Sequence, residues 1–174
     1  MKTRFLVIVS ALLFATVLYA QSAPKGAHAD LVNSEGKSVG TATLAPMDGG
    51  VHITAALSNL TPGTHALHIH SVGKCEAPGF TTAGPHFNPG NKQHGTENPM
   101  GAHAGDLPNF DVAKDGTAHV SVMASHVTLG AGENSLFHVG GTALVIHEKA
   151  DDNKTDPAGN AGARIACGVI VASQ

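Results

Sequence analysis

The sequence contains no tryptophan, and its one tyrosine, Tyr19, falls inside an N-terminal leader. It has no run of basic residues and only two arginines, Arg4 and Arg164. Without a basic stripe or an aromatic platform on which bases could stack, nucleic acid is excluded as a partner. Cysteine is scarce as well: Cys75 and Cys167 are the whole thiol inventory. Helix signals are nearly absent, and what takes their place is a series of short alternating runs punctuated by Gly, Pro, Asn and Asp.

The leader itself reads plainly. Lys2 and Arg4 precede a 16-residue apolar stretch, Phe5 to Ala20, followed by small residues such as Ala23. This is the pattern of a cleaved secretory signal peptide over residues 1–20, and the stretch is short of the roughly 20 residues a spanning helix needs. No Cys follows it for lipid attachment and no twin-Arg pair precedes it, so the chain is expected to cross unfolded, without a membrane anchor, and to gain any metal outside. The expected location is the periplasm or the exterior. Residues 21–174 make one domain, long enough to bury a proper core. Loss of Lys2 and Arg4 leaves 8 basic against 13 acidic residues, a net charge of −5. In an exported chain an isolated cysteine pair reads as one disulfide, Cys75 to Cys167. On the chain-entropy account, a bridge closing so long a loop stabilises by about 4–5 kcal/mol. Because Cys167 sits three residues after Arg164, the bridge also pins a long loop beside that side chain.

Strands are expected at about 26–33, 38–45, 51–58, 64–70, 107–113, 117–123, 142–148 and 164–171, with turns such as "NSEGK", "PMDGG", "LTPG" and "KDG" between them. Eight strands of this kind make an all-β antiparallel sandwich or barrel. Two stretches break the rhythm: residues 71–106, rich in Gly, Pro, His and Asn, and residues 149–163. Structureless loops of more than about 12–15 residues within a compact domain are uncommon and usually functional. The first has few large apolar residues, so a metal and a disulfide are the expected anchors.

Histidine is where the sequence is rich. "THALHIH" places His65, His68 and His70 within seven residues. Side chains on a strand alternate between faces; Leu67 and Ile69 take the core, so His68 and His70 share the outer face, while His65 has core parity and a structural role. In "TALVIHE", Leu144 and Ile146 take one face and His147 the other. His28, His52 and His119 alternate with apolar neighbours as solvated surface residues. His126 and His138 lie in irregular sequence, where a structural role is favoured. The long loop adds His86, His94, His103 and Asp106, three imidazoles and a carboxylate, the donor set of a closed tetrahedral zinc site. Two four-coordinate metals need one donor more than these seven residues supply. Either one imidazole uses both nitrogens, or a zinc site stands beside an open three-histidine site. Spacing alone does not choose.

The blocks "HALHIH", "AGPHFNP", "NKQHG", "AHAGDL", "VIHEKADD" and "GNAGARIACGVI" resemble the copper–zinc superoxide dismutases over essentially the whole mature chain, and their bacterial exported members in particular. The resemblance implies an eight-stranded Greek-key β-barrel with two functional loops, one copper and one zinc per chain, and superoxide disproportionation to O₂ and hydrogen peroxide as the activity, protecting the cell envelope from oxidative damage. It implies His68, His70, His86 and His147 as copper ligands and His86, His94, His103 and Asp106 as zinc ligands, with His86 shared and able to pass a proton. Asp151 becomes the carboxylate that links His68 to His94, and Arg164, the only arginine left after the leader, becomes the residue that docks the anion. Catalytic roles thus fall on Arg164 and His86.

Some features depart from the animal enzymes. The arrangement around Cys75 is closer to bacterial members, the second loop lacks the animal charge cluster, and Ala158 stands where those relatives carry Thr. Lys149 and Lys154 are candidates for steering, with solvated loop lysines as the plainer account. Asn59–Thr61 and Asn153–Thr155 match a glycosylation pattern too short to carry weight. Two rivals remain on the same scaffold. One is a non-enzymatic copper/zinc-binding or delivery protein, disfavoured because such lookalikes lose a copper ligand or the Arg. The other is a copper-only enzyme, disfavoured by His94, His103 and Asp106. The sequence leaves the oligomeric state open, a homodimer included.

Overall fold

The computed structural model describes residues 24–173; the signal peptide expected over 1–20 lies outside them. Ten strands follow in order: β1 (Ala27–Asn33), β2 (Ser38–Met47), β3 (Gly50–Leu57), β4 (Gly63–His65), β5 (Leu67–His70), β6 (Phe110–Val112), β7 (Ala118–Ala124), β8 (Ala143–His147), β9 (Arg164–Val169) and β10 (Val171–Ala172). The large sheet runs β5-β8-β9-β1-β2-β3-β7, with β10 pairing onto β1, and a second sheet consists of β4 and β6. Every strand pair is antiparallel. Neighbours such as β3 and β7, or β9 and β1, are distant in sequence, which is the crossing of a Greek key. Among the described residues no helix is long and apolar enough to cross a membrane.

All eight expected strands exist, but two are divided. The run 64–70 breaks at Ala66, whose amide donates to Lys149 O (2.9 Å) and whose carbonyl accepts from His147 N (3.0 Å). The break lets β4 pair with β6 while β5 pairs with β8. The run 164–171 breaks at Ile170, whose side chain is buried. Tertiary pairing, invisible to local alternation, decides both.

Strand parity builds the core. Leu31, Leu44, Ile53, Leu67, Ile69, Val120, Leu144 and Ile146 fill one apolar interior. On the other face of β8 and β9, Ala143, Val145 and Cys167 pack with Phe80 and Ala83 in a smaller cluster, with Cys75 against it. Cys75 and Cys167 form the disulfide, 92 residues apart. Loop 71–106 is therefore held by apolar burial too, contrary to the expectation from its composition: Phe80 is completely buried in the small cluster and Phe87 in the main core. It is also stitched to the free edge of β5. Phe87 N donates to Ile69 O (2.8 Å), Ile69 N to Gly105 O (2.9 Å) and Gly105 N to Phe87 O (2.8 Å). An exposed strand edge is thereby covered. Any Cβ at residue 105 would collide with Ile69 O, so the close approach requires glycine there.

Replacing both Cys75 and Cys167 with Ser is expected to lower the stability of the metal-free chain by about 2–5 kcal/mol, measured by denaturant unfolding. A loss under about 0.5 kcal/mol would show that apolar packing and the β5 edge hold the loop unaided.

Candidate metal centre

His68 and His70 leave β5 on the face opposite Leu67 and Ile69, and His147 leaves β8 on the same face. The stitched loop brings in His86, beside His70 across an isolated bridge, and Asp106, beside His68 across another. Two groups result. In the first, ligand atoms of His68, His70, His86 and His147 lie within 4.8 Å of one another; in the second, those of His86, His94, His103 and Asp106 do so. His86 belongs to both.

Hydrogen bonding orients each ring. His70 Nδ1 lies 2.8 Å from Gly84 O, and His70 Nε2 lies 3.3 Å from His147 Nε2. His68 Nε2 lies 2.7 Å from Asp151 Oδ2, which turns its Nδ1 inward. His86 Nδ1 lies 2.9 Å from Asp106 Oδ1. The nitrogens left over, His68 Nδ1 and His86 Nε2, are buried with no hydrogen-bond partner. A buried polar atom without a partner costs about 1–3 kcal/mol. Two of them converging with two further imidazole nitrogens form a set built to bind a cation, and nitrogen donors suit copper.

The second group passes a separate geometric test. Asp106 Oδ1 lies 2.9 Å from His86 Nδ1, 3.0 Å from His94 Nδ1 and 3.2 Å from His103 Nδ1, and His86 Nδ1 lies 3.5 Å from His103 Nδ1. A tetrahedron with ligands at about 2.0–2.1 Å has edges of about 3.3–3.4 Å. Four of the six edges thus already lie within a few tenths of an ångström of zinc's preferred polyhedron. Asp106 Oδ2 accepts from Gly95 N (2.9 Å) and His103 N (3.0 Å), which fixes the carboxylate plane.

Asp151 spans the two groups, meeting His68 Nε2 at 2.7 Å and His94 Nε2 at 2.9 Å. Several supports escaped the sequence reading. Asn109 grips the Asp151 backbone at both ends, donating from Nδ2 to Asp151 O (2.9 Å) and accepting at Oδ1 from Asp151 N (2.8 Å). Asp156 accepts from His94 N. Gly159 lies so close to Asp151 and His94 that any Cβ would overlap both side chains. The only hint in the sequence was the glycine-rich run "PAGNAG" after the acidic pair; nothing local marks Asn109.

Arg164 is half-buried at the start of β9, donating to Phe80 O and Gly84 O at 2.7 Å each. Gly84 O thus serves both Arg164 and His70. His65 lies outside the centre, its ring nitrogens 2.7 Å from the carbonyls of His147 and Thr61. His138 is half-buried and stacked on Phe87 at 5.2 Å. His126 and His119 are exposed, while His28 and His52 are half-buried on the outer sheet face. Lys149 and Lys154 are exposed, and Lys154 pairs with Glu97 at 2.8 Å.

Electrostatics divide the two groups. Burial, reinforced by the neighbouring charges of His86 and Arg164, pushes the His70 imidazole down to about 2. Burial also leads in holding His86 and His147 near about 4, and it lowers His68. These rings stand neutral and ready to ligate at pH 7. For His94, burial opposes the charge, yet contacts with Asp106 and Asp151 outweigh it and raise the ring to about 9. Burial likewise opposes ionisation of Asp106, but its three imidazole neighbours hold the carboxyl well below the usual range.

The chain matches the copper/zinc superoxide dismutase family (SODC) over residues 38–170. It is 53% identical over 145 residues to superoxide dismutase (Cu-Zn) 1 of Aquifex aeolicus (strain VF5), covering 82% of this chain and 86% of that one. It is 45% identical to the superoxide dismutase-like protein YojM of Bacillus subtilis (strain 168), covering 84% and 76%. Among solved structures, a SOD-like protein from Bacillus subtilis superposes with a TM-score of 0.80 at 44% identity, covering 83% of this chain and 97% of that one. The chain belongs to the copper/zinc superoxide dismutase family.

The pKa shifts carry a stability signature. Stability from the depressed His70, His86 and His147 is present above their unfolded value of 6.5 and is lost as pH falls toward about 4. That from the raised His94 is present below 6.5 and is lost as pH climbs through about 9. Calorimetry of the metal-free chain should show the melting temperature falling on both sides of neutrality. Zinc uptake at pH 7 should also release the His94 proton, visible as a buffer-dependent heat. A flat stability profile, or zinc binding without proton release, would contradict the assignment.

Proposed function

We propose that this chain is a superoxide dismutase whose copper is held by His68, His70, His86 and His147, and whose zinc is held by His86, His94, His103 and Asp106. It is an oxidoreductase with one copper and one zinc per chain. The observation that carries the ligand assignment is the ring of His86, with Nδ1 turned to Asp106 and Nε2 buried toward the other three histidines. Bound there, copper supplies a reversible one-electron couple through which one superoxide is oxidised to O₂ and a second, with two protons, is reduced to hydrogen peroxide.

The chain's own residues do the rest. His68, His70 and His147 present neutral imidazoles in fixed orientations, because Asp151, Gly84 O and Gly162 O occupy their other nitrogens. His86 Nε2 is the atom placed to hold a proton and pass it to the reduced oxygen anion, since Nδ1 is turned to Asp106 and Nε2 is buried toward the other three histidines. Arg164 docks the anion. Two carbonyls aim its guanidinium, and it supplies local positive potential on a negative protein, where the field at the site matters more than net charge. Asp151 ties His68 to His94, and such partners set ligand orientation and basicity.

The signal-like pattern of residues 1–20 supports a periplasmic or external location for the mature domain, 21–174, and a disulfide fits an oxidising compartment. There it would protect the cell envelope. A binding or delivery protein on the same scaffold is disfavoured, since all four histidines of the first group and Arg164 are present and oriented.

Arg164→Ala is expected to slow superoxide consumption by roughly tenfold and to flatten its ionic-strength dependence, with copper and zinc content unchanged. Pulse radiolysis across a salt series, paired with elemental analysis, measures both. Full rate in the variant would remove Arg164 from the mechanism.

A further inference from the structure

The side of the sheet away from the metal centre carries a second set of soft donors. The described residues contain three methionines, Met47, Met100 and Met123. Met47 and Met123 stand on the solvent face of β2 and β7, 55% and 39% exposed. Between those strands lies β3, and its register places His52 directly opposite Met123 on one side and Ala45 on the other, with Met47 opposite Gly50. Burial alternates along β3 and, but for Val122, along β7, and cross-strand partners share a face, so the register puts Ala45, Met47, Gly50, His52 and Met123 together on the outer face. Opposed side chains on a sheet have Cβ atoms about 4.5–5.5 Å apart and diagonal ones about 7–8 Å. Both spans are within reach of methionine's three rotatable bonds. Ala45 and Gly50 leave a floor without long side chains. His52 Nε2 rests 3.0 Å from the exposed hydroxyl of Ser121, a partner that water replaces at little cost.

We propose that Met47, His52 and Met123 form a surface site for a soft monovalent metal ion, Cu(I). Thioether sulfur prefers Cu(I) to zinc or to the hard divalent ions, and imidazole accepts copper as well. Two sulfurs and one nitrogen meet the low coordination number of that ion, and no carboxylate of the set draws a hard cation in its place. Within the sheet order, β1 lies between β2 and the strands β9, β8 and β5 that carry Arg164, His147, His68 and His70, so the site is distinct from the copper–zinc centre. An exported chain that gains its metal after crossing has a use for a place where copper first lands.

The test uses the metal-loaded protein, titrated anaerobically with Cu(I) supplied from a chromophoric chelator, beside a Met47→Leu/Met123→Leu variant. The wild type should take up one further equivalent, and the variant should bind it more weakly by on the order of tenfold or more, since even supporting residues change metal affinity that much. Methyl resonances of Met47 and Met123 should shift, while Met100, 63% exposed in the loop 71–106, should not. Equal affinity in the variant, an equal shift of Met100, or zinc binding as tight as Cu(I) would each overturn the proposal. Superoxide consumption should be the same in both proteins, so this test stands or falls apart from the dismutase assignment.

Discussion

The imidazole of His86 has one nitrogen 2.9 Å from the Asp106 carboxylate and the other buried among His68, His70 and His147. A ring can serve two cations only if its orientation is set from outside, and here the backbone sets it. His86 bridges to His70, and Phe87, the next residue, is locked to Ile69 on the edge of β5 by a short hydrogen bond and by burial in the core. The same edge carries Gly105, which delivers Asp106 from the far end of the loop. Sheet edge, loop and ligands form one construction: the strand that presents His68 and His70 also positions the residues that complete both groups.

The electrostatic arrangement follows from the same burial. A cluster of imidazoles removed from water stays neutral, because each added charge would be desolvated and would repel its neighbours. For His94, flanked by two carboxylates, the balance goes the other way. The metal-free chain therefore offers one group with no proton to displace and another with a proton to lose. Asp151 touches both groups, so a change in one is felt by the ring orientation of the other.

Much of this was legible in the sequence because strands are periodic. Parity alone separated His68, His70 and His147 from His65, and it identified Leu67, Ile69, Leu144 and Ile146 as core. Loop composition exposed His86, His94, His103 and Asp106. What parity could not convey was pairing across distance. The break at Ala66, the docking of residues 85–87 and 105–106 on β5, the burial of Phe80, and the grip of Asn109 on Asp151 all join segments far apart in the chain. Gly159 was equally hidden, since the space it leaves is defined by Asp151 and His94 rather than by its own neighbours.

The shared ring is the point on which both groups depend, and anomalous diffraction from crystals of the metal-loaded protein at the copper and zinc edges tests it directly. Copper is expected bonded to His86 Nε2 together with His68, His70 and His147, and zinc to His86 Nδ1 together with His94, His103 and Asp106. Finding the His86 ring bonded to one metal alone, or the two ions exchanged between the groups, would contradict it.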